Sequence, residues 1–320
     1  MRYNNYKHDT YKANPRTKKA LSEKRLADKM LCYIFTLKLP LKLKLLFWNI
    51  GPSPTFVQLA FVNSAITGID ADVVCISEGT PSMIACADLV TAIEGLGYLT
   101  YYHPNLSTAA VIGSQYNYNK LGLKLFYKNT LTGNKIFTFA DQQAEGRILH
   151  FRFQFGAQHY SCFFIHNMSK GSDEISQQDF LFKLKLCIDS KRLLHKHDKF
   201  FIYGDFNLEP WDPLLRHKRT VKSYFYKKEH SFYNSSNAKN LYFNPFLEYI
   251  KAHGNDLMIG TFHDESYSSL LDFALFSEGM NNFDVEILDS INGAAMLRSV
   301  GTKIAIHNDF DHLPILITLK

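Results

Sequence analysis

The sequence predicts an α/β protein in which two packed sheets are flanked by helices. Three observations carry this. The chain has 320 residues, 46% of them hydrophobic and 21% charged, enough for a large core in a soluble protein. Its apolar segments are mostly of strand length, and many show period-two alternation. These segments come in runs with helical stretches between them rather than in strict alternation, which favours two packed sheets over a doubly wound parallel sheet.

The elements follow in order. "LKLKLLFWNI" (41–50) alternates Leu with Lys and then becomes continuously apolar, as a strand does when it enters a core. A helix fits 55–68, and "ADVVCISEG" (71–79) is a β-branched run ending in a glutamate. "SMIACADLVTAIEGLG" (82–97) has helical spacing at Ile84, Leu89, Ile93 and Leu96, with Gly97 to end it. Strands are expected around 98–102, 109–113, 121–127, 147–155 and 159–166. In "RILHFRFQF", Ile148, His150, Arg152 and Gln154 alternate with Leu149, Phe151, Phe153 and Phe155. A helix spans 173–196, opened by Asp173 and Glu174 and closed by Lys191, Arg192, His195 and Lys196, which suit the helix dipole. Strands "KFFIYG", 270–276, 283–288 and 314–319 complete the series.

Residues 1–30 hold nine Lys/Arg against three acids, and this excess equals the +6 net charge of the whole chain. The remainder is electrically neutral. Residues 1–40 therefore read as a basic leader that either holds a polyanion or is simply solvated, and 41–320 as a catalytic domain. Lys38, Pro40, Lys42 and Lys44 interrupt the apolar stretch 31–50 and exclude a membrane span there, and no signal peptide is visible. The five cysteines lie among apolar neighbours with no C-x-x-C pair. They read as reduced core thiols of a cytoplasmic protein rather than a zinc site.

The polar residues that carry chemistry share a position. Asn49, Glu78, His166 with Asn167, and Asp205 with Asn207 each end an apolar strand. Asp272 interrupts "SLLDFALF", and Asp311 with His312 precede the last strand. Any one of these is an ordinary turn or core residue. Together they place carboxylates, amides and imidazoles at one sheet rim, where sites are usually built. Oxygen ligands of this kind suit a hard cation such as Mg2+. A phosphoester needs such a cation and hydrogen-bond donors to neutralise its charge. Asp205 can orient or deprotonate a water, and His312 can deprotonate or stabilise if Asp272 sets its tautomer.

The stretches "LLFWNI", "ADVVCISEG", "EGRILHFRF", "FIHNMSK", "FIYGDFNLEP", "LLDFALFS" and "DHLPI" resemble, in order, those of the endonuclease/exonuclease/phosphatase superfamily (DNase I-like), over roughly 43–319. The resemblance implies a four-layer α/β/β/α sandwich of two mixed sheets. It also implies Mg2+-dependent phosphoester hydrolysis, with Mn2+ as a substitute. By resemblance Asn49, Glu78 and Asp311 take the metal-site positions, and His166 faces the phosphate. Asp205 and Asn207 activate water and contact phosphate or metal, and Asp272 pairs with His312. Asn167, Arg147 and Trp211 are substrate-binding candidates. Ser77 stands where the family usually has Gln, and Asp309 lies near where the family often has Ser before Asp-His. "NPFLEYI" with "GTF" resembles a pattern in some bacterial members.

A nuclease is favoured, because residues 212–243 carry seven Lys/Arg against two acids among many aromatics, a composition that holds phosphates and stacks bases. The same segment also reads as a basic surface excursion whose aromatics pack inward. The alternatives are a phosphatase or phosphodiesterase acting on an inositol phosphate or a sphingomyelin-like lipid, and an inactive binding module.

Overall fold

The computed structural model describes residues 42–51, 55–78, 83–101, 123–128, 147–169, 171–217, 219–224, 241–246, 248–249, 261–264, 267–300, 303–306 and 310–320. The basic leader, the expected strand 109–113, Asp309 and residues 225–240 of the basic-aromatic segment lie outside the described residues.

Two six-stranded mixed sheets form the framework. The first is built from β1 (Leu43–Asn49), β2 (Val73–Ser77), β3 (Tyr98–Tyr101), β4 (Leu123–Lys128), β13 (Phe283–Ile287) and β18 (Ile315–Leu319), in the order β13-β18-β1-β2-β4-β3. The second is built from β5 (Ile148–Phe155), β6 (Gln158–His166), β7 (Lys199–Asp205), β8 (Lys222–Tyr224), β9 (Leu241–Phe243) and β12 (Asp272–Ser277), in the order β5-β6-β7-β12-β9-β8. Short ribbons pair β10 (Phe262–Asp264) with β11 (Tyr267–Ser269), β14 (Ser290–Ile291) with β15 (Ala294–Ala295), and β16 (Leu297–Val300) with β17 (Lys303–Ile306). The strands 222–224 and 241–243 and the ribbons are too short, at two to four residues each, for period-two alternation to show in the sequence.

The sheets pack face to face. On β1, Phe47 points inward to meet Tyr203 of β7 in a tilted ring contact at 5.6 Å, while Trp48 points outward to Phe61 of helix α1 (Phe56–Ile69). The Tyr203 hydroxyl lies between the sheets, accepting from Phe47 N at 3.0 Å and donating to the Ile315 carbonyl. Helix α1 opens with a capping box in which Thr55 and Gln58 satisfy each other's backbone N–H groups. Helix α2 (Met83–Gly95) buries Leu89 and Ile93, but Leu96 falls in the turn beyond its end and faces solvent. Helix α3 (Glu174–Leu194), capped by Asp173, lies on the second sheet, with Arg192 over the rings of Phe200 and Tyr242. Among the described residues no helix is long and apolar enough to cross a membrane.

The alternation in β5 is observed, but its polar-looking face is buried at its start and only partly open at Arg152 and Gln154. His150 is fully buried, stacked on Phe163 at 4.6 Å and beside His195 of the chain just past α3. Arg152 on the same face is neutralised by Asp198 at 2.7 Å.

Candidate active site

Register places the acids. In the second sheet, His166 on β6 pairs with Asp205 on β7, and Asp205 pairs with Asp272 on β12, so three candidate residues form one row at the sheet end. In the first sheet, Asn49 ends β1 opposite Ser77 of β2, and Glu78 follows. Asp311 and His312 sit just before β18, which is antiparallel to β1. The sequence reading expected one sheet rim. The structure instead divides the residues between two sheets, whose ends meet.

The contacts join both halves. Asn49 Nδ2 donates to Asp205 Oδ2 at 3.0 Å, and Gly51 N donates to Asn49 Oδ1. His166 Nε2 stands 3.2 Å from Glu78 Oε1 and 3.7 Å from Asp205 Oδ2. His312 Nδ1 lies 2.6 Å from Asp272 Oδ2. Asn207 occupies the left-handed region at φ 49°, a conformation asparagine tolerates, and its backbone N–H donates to Asp205 Oδ1 at 2.7 Å.

The remaining candidates are placed differently. Asn167 is fully buried, its amide donating to the Phe206 carbonyl and accepting from Met168 N, so it braces the backbone on both sides of the site. Arg147 is buried and donates to the carbonyls of His166 and Asn167. Trp211 is 52% exposed, on the turn that follows Asn207. Tyr224, Tyr242 and Phe243 pack inward, so in the described part of the basic-aromatic segment these rings belong to the core.

Two positioning residues escaped the sequence reading. Thr261 Oγ1 accepts from the backbone N–H groups of Leu271 and Asp272, and its carbonyl accepts from Leu313 N, tying Asp272 to the segment that carries His312. Lys124 Nζ donates to the Glu78 carbonyl, beside the positive φ of 62° at Glu78. "GTF" was the available signal for Thr261. Nothing local marks Lys124.

Electrostatics follow from burial. Asp205 is pushed up to about 6, first by loss of solvent and then by the charge of Asp272. Burial opposes charge on His312, but the charge and hydrogen bond of Asp272, with Asp205 and Asp311, lift it to about 10. Burial also raises Asp311. Four carboxylates thus crowd two imidazoles, an imbalance that a divalent cation relieves.

The donor set fits such a cation. Asp311 Oδ1 is buried without a hydrogen-bond partner, and Gly51 leaves space beside it, since a Cβ there would lie 3.5 Å from that oxygen. Glu78 and Asn49 supply further oxygens. Asp205, Asp272 and His312 also place ligand atoms within 4.8 Å of one another. That trio is the poorer cation site, because Asp272 already holds His312, and an imidazolium has no lone pair to give.

No family model and no curated protein matches the sequence. The fold does match solved structures. Truncated Caenorhabditis elegans TDP2 superposes with a TM-score of 0.54 at 11% identity, over 87% of this chain and 97% of that one. The human Nocturnin catalytic domain with bound sulfate anion gives 0.52 at 13% identity, over 87% and 93%. D. rerio TDP2 complexed with single strand DNA product gives 0.51 at 12% identity, over 87% and 99%. The chain has the DNase I-like fold of the endonuclease/exonuclease/phosphatase superfamily. In this DNase I-like sandwich the residue cluster lies where the ends of the two central sheets meet.

Proposed function

We propose that the protein is a Mg2+-dependent phosphoester hydrolase, bacterial and cytoplasmic, whose substrate is a nucleic acid. The cluster of Glu78 and Asp311 with the buried Asp205, Asp272, His166 and His312 carries this reading. Glu78, Asp311 and Asn49 would hold the cation, which, when bound, neutralises phosphate charge and polarises the phosphorus–oxygen bond.

The other residues act on protons and geometry. Asp205 orients the attacking water and accepts its proton. Its carboxylate is held by Asn49 Nδ2 and Asn207 N, and its upward shift to about 6 makes it a stronger base than a free aspartate. His312, kept as imidazolium by Asp272, supplies positive charge to the phosphate oxygens as negative charge builds there. His166 and Asn207 face the phosphate. Arg147 and Asn167 hold the backbone that carries them.

Nucleic acid is favoured over a small or lipid phosphoester by the surface next to the site. Trp211, Arg216 and Arg219 are exposed on the segment directly after the Asp205 strand, an aromatic with cations that suits a base and its phosphates. The D. rerio TDP2 structure, with its single strand DNA product, supports the same reading.

The test is Mg2+-dependent turnover on single- and double-stranded DNA, RNA, an abasic duplex, inositol phosphates and a sphingomyelin analogue, with His312→Ala as control. Nucleic-acid cleavage that disappears in the variant is expected. Turnover of the small or lipid substrates alone would overturn the nuclease assignment, and absence of turnover on every substrate would overturn the hydrolase.

A further inference from the structure

Glu78 has a backbone conformation unusual for its residue type. Among the described residues, four that are not glycine have positive φ: Asp70, Glu78, Asn207 and Asn292. Asp and Asn tolerate the left-handed region, because their short side chains bond the nearby backbone. Glutamate lacks that compensation, so its φ of 62° needs support from elsewhere.

The strand ladder does not supply it. Ser77, the last residue of β2, is paired on both sides, with Asn49 of β1 and Leu123 of β4, and its carbonyl accepts from Ile50 N at 3.2 Å. Glu78 lies one residue beyond this pairing. Its carbonyl accepts instead from Lys124 Nζ at 2.5 Å. Lys124 belongs to β4, where it pairs with Ile76, and it is half-buried. A charged donor makes a hydrogen bond roughly twice as strong as a neutral one. The far end of Glu78 is held as well, with Oε1 3.2 Å from His166 Nε2 on the second sheet. The glutamate is thus fixed at its main chain from one sheet and at its carboxylate from the other. A φ in the ordinary negative range would turn Cβ at the strand end and carry the carboxylate away from His166. Strained backbone of this kind gathers where a site's geometry is set in advance.

We propose that Lys124 is a positioning residue for the cation site. Its ammonium holds the Glu78 main chain in the left-handed conformation, and that conformation aims the carboxylate into the cluster. The inference rests on the reading of Glu78 as a cation-holding residue. Lys124 itself touches neither cation nor substrate and acts through Glu78.

Isothermal titration of Mn2+ into the metal-free full chain, with no substrate present, tests it. Lys124→Met removes the donor and keeps an unbranched side chain of similar length. It is expected to weaken Mn2+ binding at least about 10-fold, the scale on which residues behind a ligand tune a site. Its metal-free melting temperature should stay close to wild type, because Glu78 can relax once released. Lys124→Arg keeps a charged donor and should recover most of the affinity. Lys124→Gln, with a shorter reach, should also weaken binding and serves if the methionine variant does not fold. A wild type that binds no Mn2+ overturns the reading of the site itself. A wild type that binds, with Lys124→Met and Lys124→Gln at equal affinity, leaves the site standing and overturns the role of Lys124. A loss that tracks a lower metal-free melting temperature and is not recovered by arginine makes Lys124 a fold residue and also overturns the proposal.

Discussion

His312 Nδ1 and Asp272 Oδ2 lie 2.6 Å apart, and both residues are buried. The pair joins the first-sheet half of the site to the second-sheet half, and it keeps a proton on Nδ1 where solvent cannot. Asp272 is in turn oriented by two elements, because its backbone N–H is bound to Thr261 Oγ1.

Asp272→Asn should therefore lower kcat/KM by about 10²–10⁴-fold while leaving the fold intact. Without the carboxylate, His312 loses the charge that holds it near 10, so the imidazolium is lost as pH rises through neutrality rather than far above it. Steady-state rates across pH should show the alkaline limb of the variant moving to lower pH. A variant with an unchanged profile would remove His312 from the proposed role.

Cation binding should be visible without turnover. Mg2+ or Mn2+ is expected to raise the melting temperature of the wild type, by linkage to the folded state. Glu78→Gln and Asp311→Asn should each lose most of that increase. Asp311→Asn should also be no less stable than wild type in the absence of metal, because it removes the negative charge of a carboxylate whose ionised form burial disfavours. Differential scanning calorimetry with and without the ion decides this.

Acid stability should depend on His150. Burial first, then Lys191 and His195, hold this imidazole down to about 3, below an unfolded value near 6.5. A depressed folded value means the contribution is fully present above pH 6.5 and is lost as pH falls from there toward 3. By pH 5 the loss is about 2 kcal/mol. His150→Leu should flatten that acid limb, as measured by urea unfolding at pH 7.5 and 5.0. Equal slopes in both proteins would show that the ring is already solvated.

Gly204 in "GDFN" is a backbone requirement. Its φ is +147°, and a Cβ there would stand 2.1 Å from the Ile165 carbonyl oxygen on the neighbouring strand. Gly204→Ala should destabilise by about 3 kcal/mol or more, with loss of activity following loss of fold. Asp205→Asn, one residue on, should instead abolish activity at nearly unchanged stability. Thermal melts and rates of the two variants separate the two kinds of loss.

The sequence by itself determined where strands run and where they stop. Period-two alternation in "RILHFRFQF", the apolar run ahead of Gly204, and the caps at Asp173 and Gly97 are local, and local sterics and burial decide them. It also determined which side chains stand at strand ends, which is why Asn49, Glu78, His166, Asp205, Asp272 and His312 were legible as one set. Tertiary structure decided what they meet. The pairing of Asp205 with both His166 and Asp272 is a register between strands far apart in the chain. The bond from Asn49 to Asp205 crosses from one sheet to the other. Tertiary packing also turned Asn167 and Arg147 toward the backbone, covered His150 with the region around α3, and recruited Lys124 and Thr261. Each of these depends on contacts between segments distant in sequence, and local periodicity carries no information about which distant segment a face will meet.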